Sequence, residues 1–290
     1  MKHQFSVTFK IFFLIFILIF ICFDVALAAS YHGYSSLTVP EGSTSSTLSV
    51  DVLHDMATRF SGWWYDKEKP GTGIAMEIQG QNIFLAWFVF NEKGYTTWYT
   101  AYGTLTNENS WTGELQKWTG WSFPGPYSPP VSQVSGSISL NFNKGATNRI
   151  DMSATVDGKS SVANLTNFMD DFSPGAPHSP NITGWWWDPS YNGMGFFLDA
   201  QGNNMAMVWY NYRSDRSPRW WTSNGDFSNG ATNYYGHLDG WMWGQCPGCP
   251  YNPPTIIPNT AGDISIVFLD DSHATLTAGT TVINIERFNF

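Results

Sequence analysis

Apolar and polar residues alternate or cluster in short runs along most of this chain. From Phe60 onward, apolar or alternating segments are cut by Gly, Asn, Asp and Pro, and no segment has a convincing helical period. One of the breaks, Asp157-Gly158, is a type I′ hairpin signal. This pattern predicts an all-β protein.

One segment before Phe60 departs from the β pattern. Val50, Leu53, Met56 and Phe60 lie at roughly helical spacing. They predict a short helix over 50–60 that plugs one end of the first domain. A simple linker is an equally supported interpretation of the same residues.

The β pattern occurs twice. Gly62-Trp63-Trp64-Tyr65-Asp66 returns 122 residues later as Gly184-Trp185-Trp186-Trp187-Asp188. Further pairs keep the same offset, namely Gly71/Gly193, Gly73/Gly195, Gly80/Gly202, Trp87/Trp209, Trp98/Trp220 and Gly103/Gly225. Beyond Gly103 the copies diverge, and Gly120-Trp121 matches Gly240-Trp241. The chain is therefore an internal duplication.

Each copy contains about eight short strands joined mostly by tight turns. We predict two tandem antiparallel up-and-down β-barrels, which have no exposed sheet edges, with two β-sandwiches as the alternative. The first barrel spans residues 60–171 and the second 182–290. A Pro-rich linker, 172–181, separates them.

The N-terminus has the features of a secretory signal. Lys2 and Lys10 precede or flank an apolar run, and Ala26-Leu27-Ala28 is an A-x-A cleavage site. We predict a signal peptide over 1–28 and a flexible leader over 29–59 that includes the possible helix. The mature protein is then secreted or periplasmic, without a stable membrane anchor. An uncleaved anchor is the alternative.

The repeated motifs also carry a resemblance. The first Gly-Trp-Trp-Tyr-Asp, Gly71-Thr72-Gly73, Ala86-Trp87-Phe88 and Thr97-Trp98-Tyr99 resemble a largely uncharacterised repeat module of secreted bacterial proteins. The resemblance implies a secreted bacterial protein and no defined chemistry. A weaker similarity to avidin-like barrels rests on the Gly-x-Trp opening and the eight strands, without a polar ligand pattern.

Composition restricts the partners. The net charge is −9, only 13% of residues are charged, and 17% are aromatic. The acidic balance disfavours nucleic acids and anionic membranes, because both need clustered Lys and Arg. The aromatic surplus indicates exposed rings that stack on a ligand or partner. Filling of small barrels with large rings is the alternative.

Tryptophans at matched positions are the main candidate ligand-binding residues. Adjacent strand residues face opposite sides, so one of each Trp-Trp pair points inward and the other outward. Core packing is one interpretation; an aromatic platform for a sugar or another flat ligand is the other. The candidates are Trp63, Trp64, Trp87, Trp98, Trp185, Trp186, Trp209 and Trp220.

Acidic residues also recur at aligned positions. Glu77 and Asp199 are further candidates, on a strand face that we expect to be exposed to solvent. If that face instead lines the barrel lumen, Glu77 is a desolvated carboxylate with a raised pKa. Asp66 and Asp188 are expected to close Asx turns at the ends of their strands.

The second copy inserts Cys246-Pro247-Gly248-Cys249, for which we predict a structural disulfide, because proteins outside the cytoplasm are oxidised. A zinc site with His237 or His273 is the minor alternative and lacks a second ligand pair. The sequence predicts no metal and no cofactor.

Three functional hypotheses remain open. The favoured one is a secreted, non-catalytic binding protein for a glycan, a small molecule or an envelope partner. The second is a structural or assembly component of the cell envelope. The third is a hydrolase with a cleft between the barrels, although the sequence contains no catalytic motif and catalytic residues are not assigned.

Overall fold

The computed structural model describes residues 48–145, 147–227 and 231–290. The predicted signal peptide and most of the leader lie outside the described residues. The fold prediction is confirmed: the chain is all-β and forms two eight-stranded antiparallel sheets, one a closed barrel and the other nearly closed.

The first barrel follows the chain from one strand to the next and closes on itself. Trp64 of the first strand pairs with Asn167 of the eighth. Its strands are β1 (Gly62–Asp66), β2 (Gly73–Gln79), β3 (Asn82–Phe90), β4 (Thr96–Thr104), β5 (Ser110–Thr119), β6 (Val131–Asn143), β7 (Arg149–Val156) and β8 (Lys159–Asn167).

The second barrel repeats this order with two strands interrupted. Its strands are β9 (Gly184–Trp187), β10 (Gly195–Gln201), β11 (Asn204–Tyr212), β12 (Pro218–Asp226), β13 (Asn233–His237), β14 (Gly240–Met242), β15 (Thr255–Ile257), β16 (Asp263–Phe268), β17 (His273–Ala278) and β18 (Thr281–Arg287). β14 and β15 form a separate two-stranded ribbon, and β12 meets this region through a bridge between Thr222 and Asp239.

The short helix predicted before the first strand is present as α1 (Val50–Phe60). Ser49 caps its N-terminus by accepting a hydrogen bond from the backbone N–H of Val52. Met56 and Phe60 are fully buried in the core of the first barrel. The helix therefore plugs this barrel, and the simple-linker interpretation is wrong.

The two copies agree in detail, with one correction to the sequence match. Trp118 pairs with Ser132 and donates its Nε1–H to Thr100. Trp241 pairs with Ile256 and donates to Thr222 in the same way. Trp118, not Trp121, is therefore the counterpart of Trp241, because Thr100 and Thr222 keep the common offset.

The barrels pack against each other through the outer faces of their first four strands. Residues of β1–β4 that alternate with the lumen-facing ones, such as Trp63, Ala75 and Phe88, belong to the same core cluster as the interior of the second barrel. β2 and β10 are consequently buried on both faces, whereas β7 alternates between buried and exposed residues. The two barrels belong to one compact unit.

The Pro-rich segment 172–181 is attached to the second barrel. The backbone N–H of Ser179 donates to the carbonyl of Ala200 at 2.7 Å, and His178 forms an isolated bridge with Gln201. The segment therefore runs along β10 and brings His178 to the boundary between the barrels.

Candidate functional site: an aromatic cleft between the barrels

A cleft of about 440 Å³ opens where the two barrels meet. This volume lies within the range of small-molecule sites, which are usually concave, mostly apolar and often placed at domain boundaries. Seven aromatic side chains from both copies line it: Trp63, Tyr65, Phe88, Phe168, Trp220, Trp241 and Tyr251. Its polar lining residues are Thr72, Thr222, Ser223, Asn224 and Asp239.

The strand pattern explains why these rings converge. Trp63 and Phe88 lie on the outer faces of β1 and β3, opposite to the lumen-facing Trp64 and Trp87. The second barrel covers this outer face and contributes Trp220 from β12. The cleft lies where a small residue of β11, Ala206, stands among these rings.

The remaining wall comes from the segment 243–254, which connects β14 to β15 and which we call the arm. Pro254 of the arm packs on Gly71 of the first copy. Pro130 of the first copy packs on Gly193 of the second in the same way. Each copy therefore extends one segment over the other, and the arm brings Tyr251 and Pro253 to the cleft.

The disulfide predicted in the arm is present between Cys246 and Cys249. Beside it, the carbonyl of Gln245 accepts a hydrogen bond from the backbone N–H of Phe90 at 3.3 Å. The backbone N–H of Gly248 donates to Ser161 Oγ at 3.1 Å. The disulfide loop thus rests on the first barrel and helps to fix the arm.

The place that corresponds to the cleft on the other side of the interface is filled by aromatic side chains. Phe84 is the counterpart of Ala206, and its ring contacts Trp185, Phe288 and Phe290 with centroids 5.0, 5.8 and 5.7 Å apart. At two other aligned positions, too, the residue that lines the cleft is the smaller of the pair. Asn224 of the cleft corresponds to Tyr102, and Tyr65 corresponds to Trp187. The cleft therefore results from smaller side chains on one side only.

All eight candidate tryptophans are at most 9% exposed, so they do not form a platform on the outer surface. Trp64, Trp87, Trp186 and Trp209 point into the barrels, as the alternation predicts for one of each Trp-Trp pair. Their neighbours on the outer faces are covered by the other barrel. A ligand can therefore contact these tryptophans only where a cleft between the barrels reaches them.

Four of the candidate tryptophans lie at the barrel–barrel interface. The Nε1–H of Trp98 donates to the carbonyl of Asn211, and that of Trp220 donates to the carbonyl of Val89. Trp185 donates to the carbonyl of Phe84. Of the eight, only Trp63 and Trp220 line the cleft.

The expectation that Glu77 and Asp199 face solvent is wrong. Glu77 is 4% exposed and Asp199 is 0% exposed, because the other barrel covers their strand face. Asp199 Oδ2 accepts a hydrogen bond from the backbone N–H of Trp63 at 2.7 Å. Glu77 Oε2 accepts one from the backbone N–H of Trp185 at 2.8 Å. Both carboxylates therefore join the barrels rather than line a lumen.

Each buried carboxylate also has a basic partner. Arg287 forms an ion pair with Glu77, and His178 Nδ1 lies 2.7 Å from Asp199 Oδ1. Burial raises the pKa of Glu77, although the charge of Arg287 opposes this shift. Burial lowers the pKa of His178, but the Asp199 carboxylate more than offsets it, so the pKa is raised above its usual value. Neither carboxylate lines the cleft.

The Asx turns predicted at the strand ends are present. Asp66 Oδ1 accepts a hydrogen bond from the backbone N–H of Glu68, and Asp188 Oδ1 accepts one from Ser190. Within the described ranges, no three or more His, Cys, Asp or Glu residues cluster as metal ligands. No helix within those ranges is long and apolar enough to cross a membrane.

A scan against protein-family models, a search of curated proteins and a search of solved structures each found no match. The resemblance of the two copies to a repeat module of secreted bacterial proteins therefore stays a prediction, as does the avidin-like similarity.

The sequence interpretation missed most of the cleft. Tyr65, Phe88, Phe168, Trp241 and Tyr251 were not candidates, and neither was Asp239. One available signal was the mismatch between aligned positions, above all Ala206 against Phe84. Differences between duplicated copies mark where their packing differs, but only the packed interface shows which difference opens a cavity.

Proposed function

We propose that this protein is a secreted, non-catalytic binding protein that holds a small, flat and largely apolar ligand in the cleft between its barrels. The observation that carries the proposal is the cleft itself, with its seven aromatic side chains at the boundary of two barrels. Rings of this kind gain stacking and burial energy on a flat ligand.

The polar groups favour a small molecule over a glycan. A sugar needs many hydrogen-bonding partners, yet the hydroxyl of Thr222 already accepts the Nε1–H of Trp241, and that of Ser223 is 2.7 Å from the Tyr234 hydroxyl. The few polar residues lie mainly along β12 and Asp239. They suit a ligand with one polar end and an apolar body.

The difference between the two sides of the interface supports a role for the cavity. Filling it with aromatic rings is compatible with this architecture, since Phe84 does so at the equivalent place. Apolar ring surface that faces an open cleft stays in contact with water, which costs burial energy. A bound ligand offsets this cost, which is the physical reason to expect one.

The test is a tryptophan fluorescence titration of the mature protein with a panel of aromatic small molecules, aliphatic small molecules and glycans. We expect saturable binding of flat apolar compounds and no binding of glycans. Ala206→Phe should abolish binding while the protein stays folded, because the aligned position already carries Phe84. Tyr235→Ala, on an exposed part of β13 outside the cleft, is the matched control and should bind normally.

A flat response to the whole panel, or equal binding by Ala206→Phe, contradicts the proposal. Saturable binding of glycans alone would contradict a small apolar ligand and favour a sugar-binding protein. The hydrolase and envelope-assembly hypotheses stay predictions.

A further inference from the structure

The described residues that line the cleft include an acidic side chain but no basic one. Asp239 is the one ionisable acid among the described lining residues, and those residues include no Lys, Arg or His. The other polar groups are neutral hydroxyls and an amide. The site therefore combines aromatic rings with a carboxylate and offers no cationic group to an anion.

The indole N–H groups of two lining tryptophans already have partners within the protein. The Nε1–H of Trp220 is used by the carbonyls of Val89 and Thr97, and that of Trp241 by Thr222. An aromatic ring carries partial negative charge on its faces and attracts a cation placed over them, most strongly when the ring is Trp. Burial strengthens this attraction, because less water competes for the cation.

Asp239 is held in place at the edge of the cleft. Its backbone exchanges hydrogen bonds of 2.8 and 3.1 Å with Thr222, and Oδ1 accepts the backbone N–H of Asn259 at 2.8 Å. The residue is only 7% exposed. The Thr222 bonds thus hold the backbone, the Asn259 N–H holds the carboxylate, and no Lys or Arg of the described residues forms an ion pair with it.

The surrounding charges are few. His237 Nε2 lies 3.5 Å from Asp239 Oδ1 but is half exposed and outside the cleft lining. On the other wall, the Tyr65 hydroxyl donates to Asp171, which also pairs with Lys67. The chain as a whole has a net charge of −9, which attracts cations over longer distances.

We propose that the cleft selects an organic cation: a quaternary or otherwise alkylated ammonium group attached to a flat apolar body. This inference rests on the proposed binding function and names its ligand class. The ammonium group lies among the aromatic rings near Asp239, and the apolar remainder contacts Phe88, Pro253 and Pro254.

The test compares ligands of the same shape that differ only in charge. Phenyltrimethylammonium is titrated against tert-butylbenzene, and benzyltrimethylammonium against neopentylbenzene, at pH 8, where a histidine is ordinarily neutral. We expect each cation to bind about tenfold more tightly than its neutral isostere, as a partly desolvated cation–π contact predicts.

Two variants locate the effect. Asp239→Asn keeps an acceptor for Asn259 and removes the charge, so it should weaken cation binding by about tenfold and leave the neutral isosteres unchanged. Ala206→Phe should abolish binding of both members of each pair. Thermal melting of each variant checks that the fold is intact.

The outcomes distinguish the inference of a cationic ligand from the proposed binding function of the cleft. If the neutral isostere binds as tightly as the cation, or Asp239→Asn weakens both equally, the inference of a cationic ligand is overturned while the cleft remains a binding site. If Ala206→Phe binds every ligand like the wild type, the proposed function itself fails.

Discussion

Asp199 of the second barrel accepts a hydrogen bond from the backbone N–H of Trp63 in the first, and Glu77 of the first barrel makes the same contact with Trp185 of the second. The exchange is reciprocal, since the two pairs occupy aligned positions. The basic partners differ, however. Glu77 is paired with the guanidinium of Arg287, whereas Asp199 is paired with the imidazole of His178, which comes from the segment between the barrels.

Removing either carboxylate should destabilise the whole protein. Asp199→Ala leaves His178 and the backbone N–H of Trp63 without their buried acceptor, and breaking such a pair costs about 3 kcal/mol. Glu77→Ala should have a similar effect through Arg287. Urea unfolding measures the free energies, with the exposed Asp271→Ala as a control that should stay within about 0.5 kcal/mol of wild type. Equal losses in all three variants would contradict the role of the reciprocal pairs.

Stability should also depend on the protonation of His178. Its pKa is raised in the folded protein because, despite burial, Asp199 and more distantly Asp170 favour the charged form. The contribution is therefore fully present below the ordinary pKa of 6.5 and is lost as the pH rises through the raised value. His178→Gln should remove this part of the pH dependence above pH 6.5. His54→Gln, on the exposed side of α1, should leave it unchanged, and a wild-type profile in His178→Gln would refute the assignment.

Each copy extends a segment over the other copy, and a proline of each segment packs on a glycine. Gly71 has a φ of +109°, and an added Cβ would overlap the Pro254 ring. We expect Gly71→Ala to cost about 3 kcal/mol through strain and overpacking. Gly80 has a φ of +56° with nothing within 4 Å of an added Cβ, so Gly80→Ala is the control, at about 1 kcal/mol. Thermal or urea unfolding measures the loss of stability in each variant. Similar losses at both sites would show that the Pro254 ring does not restrict Gly71.

The disulfide should act locally, on the arm. Replacing Cys246 and Cys249 by Ser opens a very small loop, so the free energy of unfolding should fall by only about 2 kcal/mol. The larger effect is expected in hydrogen exchange of the Phe90 N–H, which donates to the carbonyl of Gln245. Amides of β17, a strand of the second barrel that pairs with β16 and β18, provide the internal reference. Unchanged exchange at Phe90 would show that the arm holds its position without the disulfide.

Much of the fold follows from local patterns in the sequence. The repeated Gly-Trp-Trp motif with its constant offset determined the duplication, and short runs between turn residues determined the all-β class. The helical spacing of Met56 and Phe60 indicated α1, and the closeness of Cys246 and Cys249 indicated their disulfide. These features depend on neighbouring residues, so the sequence contains the information needed to predict them.

The packing of one barrel on the other was decided only by the tertiary structure. Alternation along β2 places Ala75 and Glu77 on one face, but it does not say whether water or another sheet covers that face. The near-continuous burial of β2, β3 and β10 shows that a second barrel does. For this reason Glu77 and Asp199 join the barrels, and Trp63 and Trp220 line a cleft. That cleft exists because Ala206 faces the interface where its counterpart is Phe84, and such a relation between residues far apart in the chain arises only when both copies fold and pack together.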